Sequence, residues 1–128
     1  MAAQPPFDSR GLPTGYPFKP EYEISVADAR AGLERGLLLI DVRTSEELEL
    51  AHIPGATHIP LSELEKRIDE LADHEGPIAF MCHHGVRSMK AALMARALGR
   101  PQAMSVAGGI DAWSLSADTT VPRYERGL

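Results

Sequence analysis

The chain has 128 residues, 24% of them charged and 44% hydrophobic, which makes one domain of ordinary size with a substantial core. A formal charge of −5 argues against a nucleic-acid partner, because phosphate backbones are met by basic surfaces, and no apolar run approaches the length of a membrane span. The single cysteine excludes an internal disulfide, and the start Met1-Ala2-Ala3-Gln4-Pro5-Pro6 lacks the basic and apolar stretches of a signal peptide, so a reducing, cytoplasmic setting is expected.

Residues 1–20 read as an N-terminal arm. It holds five of the ten prolines plus Gly11 and Gly15, too many breakers for helix or central strand. Yet four of the six Phe and Tyr residues, Phe7, Tyr16, Phe18 and Tyr22, lie in it or just after it. Disordered segments are poor in aromatics, so the arm is expected to dock on the domain or on a second copy of it. The domain proper is expected over residues 21–118, with a C-terminal tail from 119 to 128.

Ser25-Val26-Ala27-Asp28 reads as a helix start capped by Ser25, with the helix ending near Glu34 before Gly36. Leu37-Leu38-Leu39-Ile40 is a continuous apolar run between turn signals, as in a strand buried on both faces of a parallel sheet. Asp41 at its end is read as an acceptor that fixes the next loop. Arg43 has two readings, a structural ion pair or a group that attracts anions. Thr44-Ser45-Glu46-Glu47 carries a second capping signature, opening a short acidic helix whose charges are read as a solvated face. After the turn at Ile53-Pro54-Gly55-Ala56 come a brief strand, Thr57-His58-Ile59, and an amphipathic helix from Ser62 to about Asp73.

Ile78-Ala79-Phe80-Met81 is a second buried strand, and the cysteine stands at its end. A helix is expected from about Met89 to Leu98, buried along Met89, Leu93 and Ala97. A last strand, about Ala103 to Val106, runs into Gly108-Gly109 and then Trp113, which is expected to seal the core. Strands alternating with helices predict an α/β domain with a central parallel sheet and helices on both faces. Ligands of such sheets bind beyond the carboxyl ends of the strands, where Asp41, Cys82 and Gly108 fall.

A cysteine at a strand-to-helix turn faces converging N–H groups that hold an anion and favour thiolate, the nucleophilic form. Buried cysteines are more often plain core residues, but this one ends its apolar run and precedes His83, His84, Gly85, Val86, Arg87 and Ser88. Cys82 is therefore the candidate nucleophile and His83 to Ser88 its anion-binding loop. Arg87, Lys90 and a helix N-terminus, with Arg43 if it is the anion-attracting group, are expected to form a local positive patch on the acidic chain. His83 and His84 are expected to face solvent or substrate, His52 and His58 to bond the backbone, and His74 to lie on the surface. No ligand spacing for a metal exists, so neither metal nor cofactor is expected.

Cys82-His83-His84-Gly85-Val86-Arg87-Ser88 resembles the active-site loop of single-domain rhodaneses. Leu39-Ile40-Asp41-Val42-Arg43 continuing to His52-Ile53-Pro54-Gly55-Ala56 resembles the family's upstream signature, and Val106-Ala107-Gly108-Gly109-Ile110-Asp111-Ala112-Trp113 its downstream one. The resemblance covers roughly residues 24–115, with Ala51 where the family commonly has glycine. It implies a sulfurtransferase that moves sulfane sulfur from thiosulfate or a related donor to cyanide or a thiol through a Cys82 persulfide. The implied partners are a small anionic sulfur donor and a thiol or cyanide acceptor, with an acceptor protein or a homodimer in view. A phosphatase of the Cdc25 type or an arsenate reductase on the same fold is the nearest alternative. The phosphatase pattern has five residues between cysteine and arginine, where this chain has four. A non-catalytic binding module ranks third, because the cysteine is present.

Overall fold

The computed structural model describes residues 5–125; residues 1–4 of the arm and 126–128 of the tail lie outside the described residues. The elements are β1 (Glu23–Ile24), α1 (Val26–Leu33), β2 (Leu38–Asp41), α2 (Ser45–Leu50), β3 (Thr57–His58), α3 (Leu61–Arg67), β4 (Ile78–Met81), α4 (Val86–Ala97), β5 (Met104–Val106) and α5 (Gly109–Ala112). A 3₁₀ turn, Ile68–Leu71, extends α3, and a π-helical turn, Trp113–Ala117, extends α5. The five strands lie in the order β1-β5-β4-β2-β3 and all pair in parallel, as the continuous apolar runs imply.

Strand alternation divides the core into two layers. Leu39, Ala79, Met81 and Val106 face one side, where Val26, Ala29, Ile110 and Trp113 close over them; Ile40, Val42, Ile78 and Phe80 face the other, against Leu64, Ala91, Ala92 and Ala95. Helices thus cover both faces, and Trp113 is buried as expected.

Both capping signatures close. Ser25 accepts from Asp28 N at 3.1 Å, and Thr44 and Glu47 form the full reciprocal box. The amphipathic helix after Ser62 is shorter than its sequence pattern. It leaves α geometry at Arg67, whose φ of −107° and ψ of 6° tighten the chain into the 3₁₀ turn that buries Leu71.

The helix after the cysteine begins at Val86, three residues before the expected Met89, so Arg87 and Ser88 belong to its first turn. Its buried face is Ser88, Ala91, Ala92 and Ala95, spaced i, i+3, i+4, i+7, and Leu93 points outward. Small side chains let this helix lie close against β4 and β5, which the bulkier Met89–Leu93 face could not do.

The arm is packed against the domain through its described residues. Leu12 is fully buried in the first core layer, with Tyr16 and Phe18 packed against that layer. Asp8 receives Arg10 N and Leu12 N, Phe7 bridges to Pro13, and Ser116 Oγ donates to Ser9 O at 2.7 Å. The Tyr16 hydroxyl donates to Glu23, a buried carboxylate that also takes Lys19 N at 2.7 Å.

Candidate active site

β2 and β4 are neighbours whose onward connections leave in opposite directions, through α2 to β3 and through α4 to β5. That is the switch point of an open parallel sheet, the crevice where such folds bind ligands. Asp41 ends β2, and Cys82 follows the last residue of β4.

The chain passes from β4 to α4 through Gly85, whose φ of +117° is open to glycine and strained for other residues. This turn aims the Gly85 and Ser88 N–H groups at Cys82 Sγ, at 3.1 and 3.3 Å. The thiol donates to Ser88 Oγ at 3.4 Å, and Ser88 Oγ lies 2.7 Å from Ser105 Oγ. Cys82 is only 1% exposed, so an ion formed there is held by these donors rather than by bulk water. The glycine pair Gly108-Gly109 supports the loop from behind. Ile110 N donates to Cys82 O at 2.8 Å and Asp111 N to His83 O at 3.1 Å, and a Cβ on Gly109 would stand 2.3 Å from Cys82 O.

The two arginines are paired. Arg87 makes a forked ion pair with Glu47 at 2.6 and 2.9 Å, the two side chains being 15% and 9% exposed. Arg43 is fully buried and forked to Asp41 at 2.7 and 3.0 Å; it also donates to Glu47 O, Ala51 O and the Tyr124 hydroxyl. This decides the open reading of Arg43 for the structural ion pair. Of the expected positive patch, the charges of Arg87 and Arg43 are matched by Glu47 and Asp41, because a buried guanidinium left without a carboxylate would lose its hydration uncompensated. Asp41 takes Arg43 N at 3.0 Å and so fixes the next loop, as read from the sequence. Ala51 sits at φ −164°, extended backbone that any residue adopts, so the loop does not need glycine there.

Glu47 corrects the solvated-face reading of α2. It receives Arg87, the Tyr124 hydroxyl at 2.6 Å and Thr44 N at 3.3 Å. Burial pushes its carboxyl up, but the hydrogen bonds from Arg87 and Tyr124 outweigh that and hold it well below the usual carboxylate range. Burial, then the Glu47 hydrogen bond, pushes the Tyr124 hydroxyl up to about 12.

The adjacent histidines part company. His84 is exposed, whereas His83 is buried, stacked on Tyr124 at 4.2 Å with its Nε2 2.9 Å from Tyr124 O. Burial and the neighbouring His84 push His83 down, so it is kept neutral. His83 therefore holds the tail instead of facing solvent. His58 bonds Arg43 O at 2.7 Å, as expected. Partly buried His74 lies 3.3 Å from Pro77 O, and His52 is exposed.

Gly85 and Ser88 thus converge on Cys82, Arg87 in the same turn is held on Glu47, Val86 is an exposed residue at the start of α4, and Asp41 and Arg43 brace the neighbouring strand end. Three participants escape the sequence reading. Glu47 resembles its acidic neighbours Glu46 and Glu49 in all but its place in the capping box, and Ser105 sits unremarked in a strand. Tyr124 carried a signal that went unused, an aromatic in a polar tail, the same cue that drew attention to the arm.

Residues 25–116 match the model of the rhodanese-like domain, and the chain belongs to that family. It is 34% identical over 107 residues to the thiosulfate sulfurtransferase GlpE of Haemophilus influenzae strain Rd, covering 81% of this chain and 98% of the relative. It is 38% identical over 95 residues to the putative sulfur carrier protein YrkF of Bacillus subtilis, covering 74% of this chain and 51% of that protein. Among solved structures it resembles the human single-domain sulfurtransferase TSTD1, with a TM-score of 0.60, 30% identity, and coverage of 75% and 96% of the two chains. Among the described residues no helix is long and apolar enough to cross a membrane.

Proposed function

We propose that this rhodanese-like protein transfers sulfane sulfur from thiosulfate or a related donor to a nucleophilic acceptor through a persulfide on Cys82. The observation that carries the reading is the pair of N–H groups, Gly85 and Ser88, directed at a buried sulfur at the switch point of the sheet. The Cys82 thiolate attacks the outer sulfur of the donor, the S–S bond of thiosulfate breaks, and sulfite leaves with the bonding pair. The persulfide stays against the same donors. As the thiol proton leaves, the Ser88 hydroxyl can turn from accepting to donating. Arg87 serves chiefly to hold the loop, since its charge is matched by Glu47. The four-residue spacing between Cys82 and Arg87 supports sulfur over a phosphoryl group.

The reading is tested by thiosulfate:cyanide turnover in wild type and Cys82→Ser, a nearly isosteric change. The variant is expected to fold normally and lose turnover. Turnover near wild type in Cys82→Ser, or robust Cys82-dependent hydrolysis of an aryl phosphate, would overturn it.

A further inference from the structure

Beside the Cys82 loop lies a cavity of about 420 Å³ between the arm and the glycine turn, walled by Phe7, Pro13 and Tyr16 and bordered by His84, Gly108 and Arg123. Phe7, Pro13, Tyr16 and Arg123 stand outside residues 25–116, so the cavity is built largely by what this chain adds to the family domain. Its size falls in the range of small-ligand sites, which is roughly 300–1,000 Å³.

The walls are rings and pyrrolidine carbons, and the polar groups are already engaged. Arg123 is forked to Asp111 at 2.8 and 3.2 Å and lies over the Phe7 ring at 5.3 Å. His84 Nδ1 is 3.9 Å from the same carboxylate, and the Tyr16 hydroxyl is committed to Glu23. With its charges matched, the cavity offers an anion such as thiosulfate or sulfite little and an apolar group a dry wall.

Gly108, which lines this cavity, stands beside the turn that cradles the sulfur. A Cβ placed on Gly85 would lie 3.6 Å from Gly108 N, and Gly85 N donates to Cys82 Sγ at 3.1 Å.

We propose that the cavity is the acceptor site and that it takes the apolar body, aromatic or branched aliphatic, of a small organic thiol. The inference rests on the Cys82 persulfide reading. In the step, the acceptor thiol gives up its proton and its sulfur lone pair bonds the outer sulfur of Cys82-S-S⁻. The Sγ–S bond breaks with its electron pair left on Cys82, and the proton is taken up by the departing persulfide RSSH, so charge and atoms balance without a further reagent.

The test loads the full chain with thiosulfate, removes the donor, and follows discharge by phenylmethanethiol and by 2-mercaptoethanesulfonate, rates being compared per thiolate. Burial of a phenyl group predicts a preference of about tenfold or more for the aromatic thiol. Phe7→Ala should reduce that preference to about threefold or less at an unchanged far-UV spectrum, and Phe7→Leu should keep most of it. Equal discharge by the two thiols, or a preference that survives Phe7→Ala, would overturn the acceptor site alone. Failure to load would overturn the sulfur-transfer reading and this inference with it.

Discussion

Gly109→Ala tests how the Gly108-Gly109 pair holds the nucleophile. The residue sits at φ +58°, where a Cβ costs roughly 1–2 kcal/mol in the backbone alone. That Cβ would also stand 2.3 Å from Cys82 O and 2.5 Å from His83 O, backbone atoms with no flexible end to move aside. Relief requires opening the bonds from Ile110 N to Cys82 O and from Asp111 N to His83 O, at roughly 0.5–1.5 kcal/mol each. The sum, about 2–5 kcal/mol, should appear in urea unfolding, together with slowed thiosulfate loading as the cradle shifts. Gly55→Ala is the control, because Gly55 also has a positive φ, +89°, but meets nothing within 4 Å; it should cost only about 1–2 kcal/mol and leave loading unchanged. Equal effects of the two substitutions on stability and loading would refute the argument that close approach, not φ alone, demands glycine at 109.

Leu12→Ala should destabilise by about 2–5 kcal/mol in urea unfolding, because Leu12 is wholly buried, and a loss under about 1 kcal/mol would show that the arm is not docked. A double-mutant cycle between Arg87→Ala and Glu47→Ala should give a coupling of about 1.5–3 kcal/mol, and an additive result would contradict the forked pair. Arg87→Ala should also reduce kcat/KM for thiosulfate and reactivity toward a neutral thiol probe to similar extents, since a matched charge acts through the loop; a selective loss for the anion would return Arg87 to the role of anion attractor. His83 is held below its unfolded value of about 6.5, so its contribution to stability is full above that pH and declines as pH falls below it. Glu47, also held down, adds a second decline below about pH 4.3; urea midpoints against pH should lose the first phase in His83→Gln and the second in Glu47→Gln.

The fold was legible because its signals are local. Apolar runs ending at Asp41 and Cys82, caps at Ser25 and Thr44, and glycines at 85 and 108 each state where an element starts or stops. Cys82 could be picked out by the same logic, as a polar boundary to a buried strand. The helix face was misread because alanine carries little hydrophobic signal, yet Ala91, Ala92 and Ala95 are what close contact with the sheet requires. The network around Glu47 was hidden for a different reason. Its members Arg43, Glu47, Arg87 and Tyr124 are separated by up to 81 residues and meet only after the sheet forms, so no spacing along the chain announces them. Arg87, read as an anion attractor, is therefore paired, and Arg43, left open in the sequence, takes the ion pair. His83 was misplaced for the same reason, because its partner Tyr124 lies 41 residues away.

The central claim, a persulfide on Cys82, is tested most directly by incubating the full chain with thiosulfate, removing excess donor and measuring the intact mass. An increment of about 32 Da, located on the Cys82 peptide, absent from Cys82→Ser and discharged by cyanide, is the expected result. An unchanged mass in a folded, reduced protein, or the same increment in Cys82→Ser, would contradict it.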